Sequence, residues 1–252
     1  MTFDWLIKIV SENWPMFIRG AGYTLLISTV GTILGFIIGL FLGGIRTIPL
    51  PERGAKRFFL KVINAILTIY IEIFRGTPMI VQAMVIFYGS LLMFGFDMNR
   101  LYAAFLIVSI NTGAYMAEIV RGGIISIDKG QYEAAQAIGM NHFQIMTSIV
   151  LPQAIRNILP SVGNQYVINI KDTSVLNVIS VSELYFQTKS IAGNNFRYFE
   201  SFFVACVLYL IMTITVSRIL LYFEKKLEGP ENYHQIKVEK PEDILGGKNI
   251  NG

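Results

Sequence analysis

The chain has 252 residues, of which 53% are hydrophobic and only 15% are charged, and its formal net charge is +4. Several uncharged runs, such as residues 20–45 and 76–96, approach or exceed the roughly 20 residues that cross the hydrocarbon core of a bilayer. This composition excludes a soluble globular domain. It predicts an all-α, polytopic membrane protein with about five transmembrane helices.

The positive charge is distributed unevenly along the chain. If residues 46–61 lie in the cytoplasm, eleven Lys and Arg side chains fall in cytoplasmic segments and five fall outside. Such an excess of basic residues on the cytoplasmic side sets the orientation of a membrane protein. We therefore expect the amino terminus outside and the carboxyl terminus in the cytoplasm, and no nucleic-acid partner is needed to explain the basic charge.

The first elements are an amino-terminal segment and a first span. Residues 1–18 contain spaced apolar side chains with Trp5 and Trp14, which predicts a short helix at the outer interface. The transmembrane domain is expected to cover residues 19–224, with a first span from about Tyr23 to Gly44. Glycines recur at every fourth position in this span and allow close approach of another helix; they are Gly31, Gly35, Gly39 and Gly43.

The apolar stretch from Phe58 to Phe96 is too long for one straight span and is interrupted by Glu72, Arg75 and Pro78. Proline removes a backbone donor and clashes with the preceding turn. We predict one long span that is broken or strongly tilted near residue 76. Two half-spans joined by a re-entrant turn are the alternative. A third span follows from about Leu101 to Arg121.

A polar but alanine-rich loop, residues 122–157, follows on the cytoplasmic side. Asp128 is placed to cap a helix from Lys129 to Ile138, and Gly139 is placed to end it in a left-handed conformation. Asn141 can cap a second short helix that ends before Pro152. Two short helices joined at a glycine predict a rigid elbow.

The remaining elements are two further spans and a tail. A fourth span is predicted from Ile158 to Val181 and a fifth from Phe199 to Tyr222, with a polar outer segment at residues 183–197. Residues 225–252 are rich in charges, glycine and proline, which predicts a disordered or loosely attached cytoplasmic tail.

Several motifs resemble those of one transporter family. Glu133-Ala134-Ala135, followed by Gly139 and by Leu151-Pro152, resembles the coupling loop by which permease subunits of bacterial ABC importers dock on their ATPase partners. Further motifs look like those of permeases for polar amino acids: FRGTP at residues 74–78, EIVRGG at 118–123 and KDTS at 171–174. The resemblance covers the chain from Tyr23 to Tyr222 and implies the type I permease architecture.

The resemblance implies a function and a set of partners. The chain would be the permease subunit of an ATP-driven importer that moves a polar amino acid across the bacterial cytoplasmic membrane by alternating access. Its partners would be two ABC ATPase subunits, a second permease chain (identical or similar) and an extracytoplasmic substrate-binding protein. No phosphate-binding glycine loop is visible, so ATP and Mg²⁺ are expected in the ATPase, and we expect no catalytic residue, cofactor or metal site in this chain.

In such a permease the coupling loop inserts into the ATPase and moves with it. Short side chains let a helix sit deep in a cleft of another protein, and a carboxylate can pair with a basic group there. The candidate coupling residues are Glu133, Ala134, Ala135 and Gly139.

Charged and polar side chains at membrane depth are the candidates for the substrate pathway, since such groups are costly in lipid. A free amino acid needs a cation for its carboxylate and an anion for its ammonium group. Arg75 can supply two parallel hydrogen bonds to a carboxylate, and Asp172 can bind the ammonium group. The full candidate set is Arg75, Thr77, Gln82, Asn164, Lys171, Asp172, Thr173 and Ser174.

Other interpretations compete with these assignments. Arg75 and Asp172 could instead pair with Glu72 or Lys171 to hold helices together, and Glu118 with Arg121 fits a structural pair better than a substrate contact. A secondary, ion-coupled amino-acid transporter is the alternative function. A membrane enzyme is disfavoured because the histidines, His142 and His234, lie in cytoplasmic segments. Cationic, acidic and amide substrates are all compatible with the motifs, as are homodimers and heterodimers of permeases.

Overall fold

The computed structural model describes residues 3–228, and all regular secondary structure in that range is helical. The predicted tail lies outside the described residues from position 229 onwards. The α-helices are α1 (Phe3–Ile45), α2 (Ala55–Gly76), α3 (Met79–Phe94), α4 (Arg100–Ile125), α5 (Lys129–Ala137), α6 (His142–Ile145), α7 (Leu151–Asp172), α8 (Leu184–Asn195) and α9 (Tyr198–Glu228). A π-helical turn (Met146–Val150) precedes α7, and a 3₁₀ helix (Thr173–Ile179) follows it.

Helix α1 is continuous over 43 residues, so no break separates the predicted interfacial segment from the first span. Its amino-terminal half is held by packing. Ile9 and Phe17 are buried in a cluster with Ile170 of α7 and Leu184 at the start of α8. The burial of these apolar side chains keeps the segment in line with the span. The local sequence pattern could not predict this continuity, because the contacts come from helices distant in sequence.

The glycine face of α1 packs against α4, as the four-residue spacing predicts. A Cβ atom at Gly35 would lie 2.6 Å from Cβ of Thr112, and one at Gly43 would lie 2.7 Å from the carbonyl oxygen of Ala117. Gly31 and Gly39 face Val108 and Met116 in the same way. The absence of side chains on this face therefore brings the two helix backbones together.

The predicted break of the second span is confirmed at residues 76–78. Helices α2 and α3 meet at an angle of 112°. This bend rules out a straight tilted span and fits both the broken span and the re-entrant turn. Helix α3 then ends at Gly95, which adopts the left-handed conformation with φ +65°.

Length and composition identify three described helices as able to cross a membrane: α1, α4 and α9. The bent pair of α2 and α3 makes a fourth if the two helices form one broken span. Helix α7 is not among them, because polar residues such as Asn157, Asn164 and Gln165 keep its mean hydropathy low. It nevertheless packs against α1, α4 and α9, and the predicted fourth span, which corresponds to α7, stays a prediction.

The loop between α4 and α7 has the predicted capped elbow. Oδ1 of Asp128 accepts a hydrogen bond from N of Gly130 at 2.6 Å, and Gly139 has φ +86°. Asn141 and Gln144 form a reciprocal capping box, with N–O distances of 3.0 and 2.9 Å. We call residues 129–145 the coupling elbow.

Two predicted boundaries differ from the structure. The helix that Asn141 caps does not end before Pro152 but continues through the π-helical turn into α7, where Pro152 lies at the amino-terminal end. Pro152 has no N–H to bond within this continuous helix, and the π-helical turn lies directly before it. The fourth span is α-helical only to Asp172; the chain then forms the 3₁₀ helix up to Ile179 and turns at Ser180, whose φ is +59°.

Candidate translocation site and coupling surface

Arg75 lies in the last turn of α2, beside the break, and its side chain is exposed. Its guanidinium lies 5.4 Å from the centre of the Tyr115 ring on α4, a cation–π contact that orients the side chain without neutralising it. Within residues 3–228, Arg75 forms no ion pair at 4.0 Å or less. The predicted alternative of a local pair with Glu72 is therefore not found there.

The break itself is held by side-chain amides. Because Pro78 has no N–H, the carbonyl of Phe74 lacks its helical donor. Nε2 of Gln82 donates to the carbonyl oxygens of Phe74 and Thr77, both at 2.9 Å, and to Oγ1 of Thr77 at 2.9 Å. Nδ2 of Asn111 adds a bond to Phe74 O at 3.2 Å. Gln82 is buried and fully bonded, which suits it to holding the break rather than to contacting substrate.

The KDTS segment lies where α7 changes into the 3₁₀ helix. Lys171 is exposed and Asp172 is half-buried. Thr173 is buried, and its hydroxyl donates to the carbonyl of Ile170 at 2.9 Å. Ser174 is half-buried, and its carbonyl accepts a bond from Nδ2 of Asn177 at 2.8 Å. Lys171 is thus the most accessible side chain of this segment.

The break and the KDTS segment belong to one region of the fold. Helix α3, which follows the break, packs against the 3₁₀ helix, which follows Asp172. Ala83 of α3, Leu176 of the 3₁₀ helix and Ile107 of α4 share one buried cluster. Two segments almost a hundred residues apart in sequence are therefore joined through the same core.

Asn164 is exposed on α7 and lines a cavity of about 660 Å³ between α1, α7 and α9. The wall of this cavity is mostly apolar, so it offers few partners to a zwitterion. Asn164 lies seven residues before Lys171, which places both on the same face of α7. The structure thus groups Asn164 with Lys171 by helix face.

The coupling elbow has a buried side and an exposed side. Ala135 of α5 and Ile145 of α6 are buried against Val120 of α4 and Ala154 of α7. The hydroxyl of Tyr132 and Nδ1 of His142 are 2.9 Å apart and connect the two arms of the elbow. The elbow is therefore fixed to α4 and α7 and can move with them as one body.

The exposed side carries three of the four predicted coupling residues: Glu133, Ala134 and Gly139. The side chain of Ala135 faces the chain's own core. Two apolar side chains also lie on the exposed side, Ile138 with 79% and Phe143 with 75% of its surface accessible.

Sequence reasoning missed Ile138 and Phe143. Ile138 is three residues after the buried Ala135, and helix periodicity therefore predicts a buried side chain. Helix α5 ends at Ala137, however, and the chain turns away at Gly139. Gly139 was the sequence signal for this difference. A residue directly before a left-handed glycine lies at the helix end, so its side chain need not continue the buried face of the helix.

A second charged group lies at the end of α4. Oε2 of Glu118 accepts a bond from Nη2 of Arg121 at 3.0 Å, which confirms the predicted structural pair. Oε1 of Glu118 pairs with the guanidinium of Arg46 from the end of α1. Glu118 therefore links α1 to α4 near the coupling elbow and is occupied by two cations.

Comparison with known proteins places the chain in a family. Residues 35–229 match the family described as "Binding-protein-dependent transport system inner membrane component". The glutamine transport system permease protein GlnP of Escherichia coli (strain K12) is 39% identical over 232 residues, which cover 90% of this chain and 99% of that protein. The arginine transport system permease protein ArtQ of Bacillus subtilis (strain 168) is 31% identical and aligns over 85% of this chain and 94% of its own length.

Solved structures agree with this assignment. A crystal structure of an amino acid ABC transporter with histidines contains a chain that is 35% identical, with a TM-score of 0.78, and the match covers 90% of this chain and all of that one. A chain of the inward-facing MetNI methionine ABC transporter has a TM-score of 0.69 at 19% identity, over 84% of this chain and 96% of that one, and supports the fold alone.

Membership of this family excludes the alternative of a secondary transporter, because its members work with separate ATPase subunits and a substrate-binding protein. The chain belongs to the family of binding-protein-dependent transport system inner membrane components and is the multi-pass permease subunit of an ABC importer for polar amino acids.

Proposed function

We propose that the chain imports glutamine by alternating access, along a pathway that it forms with a second permease chain. The substrate carboxylate binds Arg75 and its ammonium group binds Asp172. Thr77, Thr173 and Ser174 surround these two groups, and Lys171 and Asn164 line the same pathway. Gln82 belongs to this site through the break that it holds.

The observation that carries the proposal is the exposure of Arg75 and Lys171, on segments that we expect to lie within the membrane. A charged side chain near the centre of a spanning helix costs about 2.5–3.5 kcal/mol even on the insertion scale that gives the lowest values. If these two cations faced lipid, no polar or charged group would offset this free-energy cost. A second permease chain and a hydrated pathway between the two chains would provide it.

Glutamine is favoured over other polar amino acids by two arguments. The E. coli glutamine permease is the more similar of the two named sequence relatives, with 39% against 31% identity for the arginine permease. The candidate pathway also contains two cations, Arg75 and Lys171, and the anion Asp172, and a second carboxylate, that of Glu72, is exposed one helical turn before Arg75. This balance suits a substrate with no net charge.

The coupling elbow is the proposed docking surface for the ATPase, with one elbow from each permease chain engaging one of two ATPase subunits. Ile138 and Phe143 would fill an apolar recess of the partner, and Glu133 would pair with a basic group at its edge. Large exposed side chains of this kind dominate the energetics of protein interfaces. The orientation that places the elbow in the cytoplasm follows from the distribution of Lys and Arg.

The test of the substrate site is ATP-driven uptake of labelled glutamine into proteoliposomes that contain the permease, its ATPase and the loaded binding protein. Arg75→Ala and Asp172→Asn should lower the uptake rate by about tenfold or more, since each removes one partner of a charge-assisted hydrogen bond. An excess of unlabelled glutamine should compete more strongly than arginine or glutamate.

Arg19→Ala and Asp97→Asn are matched controls. Both side chains are exposed, and Arg19 also makes a cation–π contact, 5.9 Å from the Tyr23 ring. The controls should transport normally. Normal uptake by the Arg75 and Asp172 variants would remove the proposed site, and stronger competition by arginine would remove the glutamine assignment.

A further inference from the structure

Two neighbouring residues near the middle of α4, Asn111 and Thr112, are buried polar side chains within the uncharged stretch of residues 101–117. They point to different neighbours. Asn111 bonds to the break between α2 and α3, and Thr112 bonds to α7. The proposed function assigns neither residue a role.

Asn111 completes the amide network at the break. Its Nδ2 lies 2.9 Å from Oε1 of Gln82 and 3.2 Å from the carbonyl oxygen of Phe74, the residue before Arg75. The same carbonyl receives no helical hydrogen bond, because Pro78 has no N–H. Asn111 therefore fixes to α4 the turn of backbone that carries Arg75. Tyr115, one turn further along α4, lies under the guanidinium.

Thr112 fixes the other half of the site. Its hydroxyl donates to Oδ1 of Asn169 at 3.2 Å. Nδ2 of Asn169 donates to Oγ1 of Thr32 on α1 at 2.7 Å, and Nε2 of Gln165 also donates to Asn169 Oδ1, at 3.2 Å. Asn169 precedes Lys171 by two residues. The Thr112–Asn169 bond thus holds the end of α7 that carries Lys171 and Asp172.

We propose that Asn111 and Thr112 are positioning residues that hold the Arg75 segment and the Lys171–Asp172 segment in one fixed arrangement on α4. The inference rests on the proposed function of those two segments. Buried hydrogen-bonded amides have few alternative partners, so they select one arrangement of the helices around them. A binding site for both ends of a zwitterion needs such a fixed arrangement.

Helix α4 also joins this arrangement to the coupling elbow. Val120 and Ile124, two to four turns along the same helix, pack against Ala135 and Ile145 of the elbow. One continuous helix therefore contacts both substrate segments and the proposed docking surface. Loss of the hydrogen bonds at Asn111 or Thr112 should separate ATP hydrolysis from transport without stopping hydrolysis.

The experiment measures glutamine uptake and ATP hydrolysis together in the reconstituted complex. Thr112→Val keeps the shape that packs against Gly35 but removes the hydroxyl, and Asn111→Leu keeps the approximate volume but removes the amide. Each should raise the ATP hydrolysed per glutamine transported by about fivefold or more, the scale of one lost buried hydrogen bond. Thr112→Ser keeps the hydroxyl and should stay close to the wild-type ratio.

Matched controls exist in the same fold. Thr188 is fully buried, like Thr112, but its hydroxyl bonds to its own helix, at Leu184 O. Ser109 is buried on α4 and bonds to Phe105 O. Thr188→Val and Ser109→Ala should leave the ratio unchanged. If Thr112→Val or Asn111→Leu does not assemble, the smaller Thr112→Ala and Asn111→Ala variants replace them.

A double-mutant cycle separates positioning from general stability. If Thr112 acts through Asn169, Thr112→Val should add nothing to the defect of Asn169→Leu. Ratios for the Thr112 and Asn111 variants that match those of the two controls would overturn the inference, as would additive defects in the cycle. Normal transport by Asp172→Asn would instead overturn the proposed substrate site, so the two failures are distinguishable.

Discussion

At the scale of single residues, the caps and turns of the coupling elbow were predictable because their chemistry is local. Asp128 and Asn141 accept bonds from backbone N–H groups two and three residues away, and Gly139 is needed for a left-handed turn. The role of Glu183 was not predictable in this way. The sequence predicts that Glu183 lies in a polar outer segment, yet its side chain is fully buried. One of its hydrogen-bond partners, Tyr209, comes from a helix distant in sequence, which no local pattern indicates.

Glu183 is expected to be a strong determinant of the stability of the helix bundle around α8. Its carboxylate caps α8 by accepting bonds from N of Tyr185 at 2.8 Å and N of Phe186 at 2.7 Å, and it accepts a third from the Tyr209 hydroxyl at 3.0 Å. Glu183→Ala leaves these donors buried without an acceptor, which costs about 1–3 kcal/mol for each group. We predict a clear fall in the thermal unfolding midpoint of the detergent-solubilised complex.

Glu12→Ala is the control for this prediction. Glu12 and Lys8 form an exposed pair with a 3.9 Å N–O distance, and such surface pairs contribute about 0–1 kcal/mol. Glu183→Gln, which keeps one acceptor oxygen, should fall between the two. A Glu183→Ala midpoint as high as that of Glu12→Ala would mean that the capping bonds contribute little.

At the scale of elements, the sequence pattern predicted which segments are helical but not how they end or join. The glycine spacing of α1 predicted a close helix contact, although only the fold shows that α4 is the partner. The continuation of α6 into α7 could not be predicted, because Pro152 normally indicates a boundary and the preceding π-helical turn has no recognised sequence signal.

The close contact between α1 and α4 predicts opposite effects of glycine substitution on the same helix. Gly35→Ala places a Cβ 2.6 Å from Thr112 Cβ, and overpacking of this kind typically costs about 1–3 kcal/mol. A Cβ atom at Gly22 would enter open space. Gly22→Ala should therefore leave the free energy of unfolding unchanged or raise it by up to about 1 kcal/mol through helix propensity. Thermal unfolding midpoints and yields on size-exclusion chromatography measure both. Equal shifts for the two variants would contradict tight packing at Gly35.

At the scale of the whole molecule, the sequence motifs alone predict the transporter family, and the family match confirms that prediction. The substrate residues remain a prediction. Sequence could nominate Arg75 and Asp172 by their chemistry, but not the contact between α3 and the 3₁₀ helix that joins their segments. It also missed Asn111 and Thr112, because isolated polar residues in a span have no distinctive spacing.

The central claim is that this chain transmits the arrival of substrate to an ATPase docked on its coupling elbow. The most direct measurement is ATP hydrolysis by the reconstituted complex, with and without the substrate-loaded binding protein. The account predicts that loaded binding protein stimulates hydrolysis in the wild type and that Phe143→Asp abolishes the stimulation, because it places a charge at the centre of the apolar docking surface. Hydrolysis that is indifferent to the loaded binding protein, or stimulation that survives both Phe143→Asp and Ile138→Asp, would contradict it.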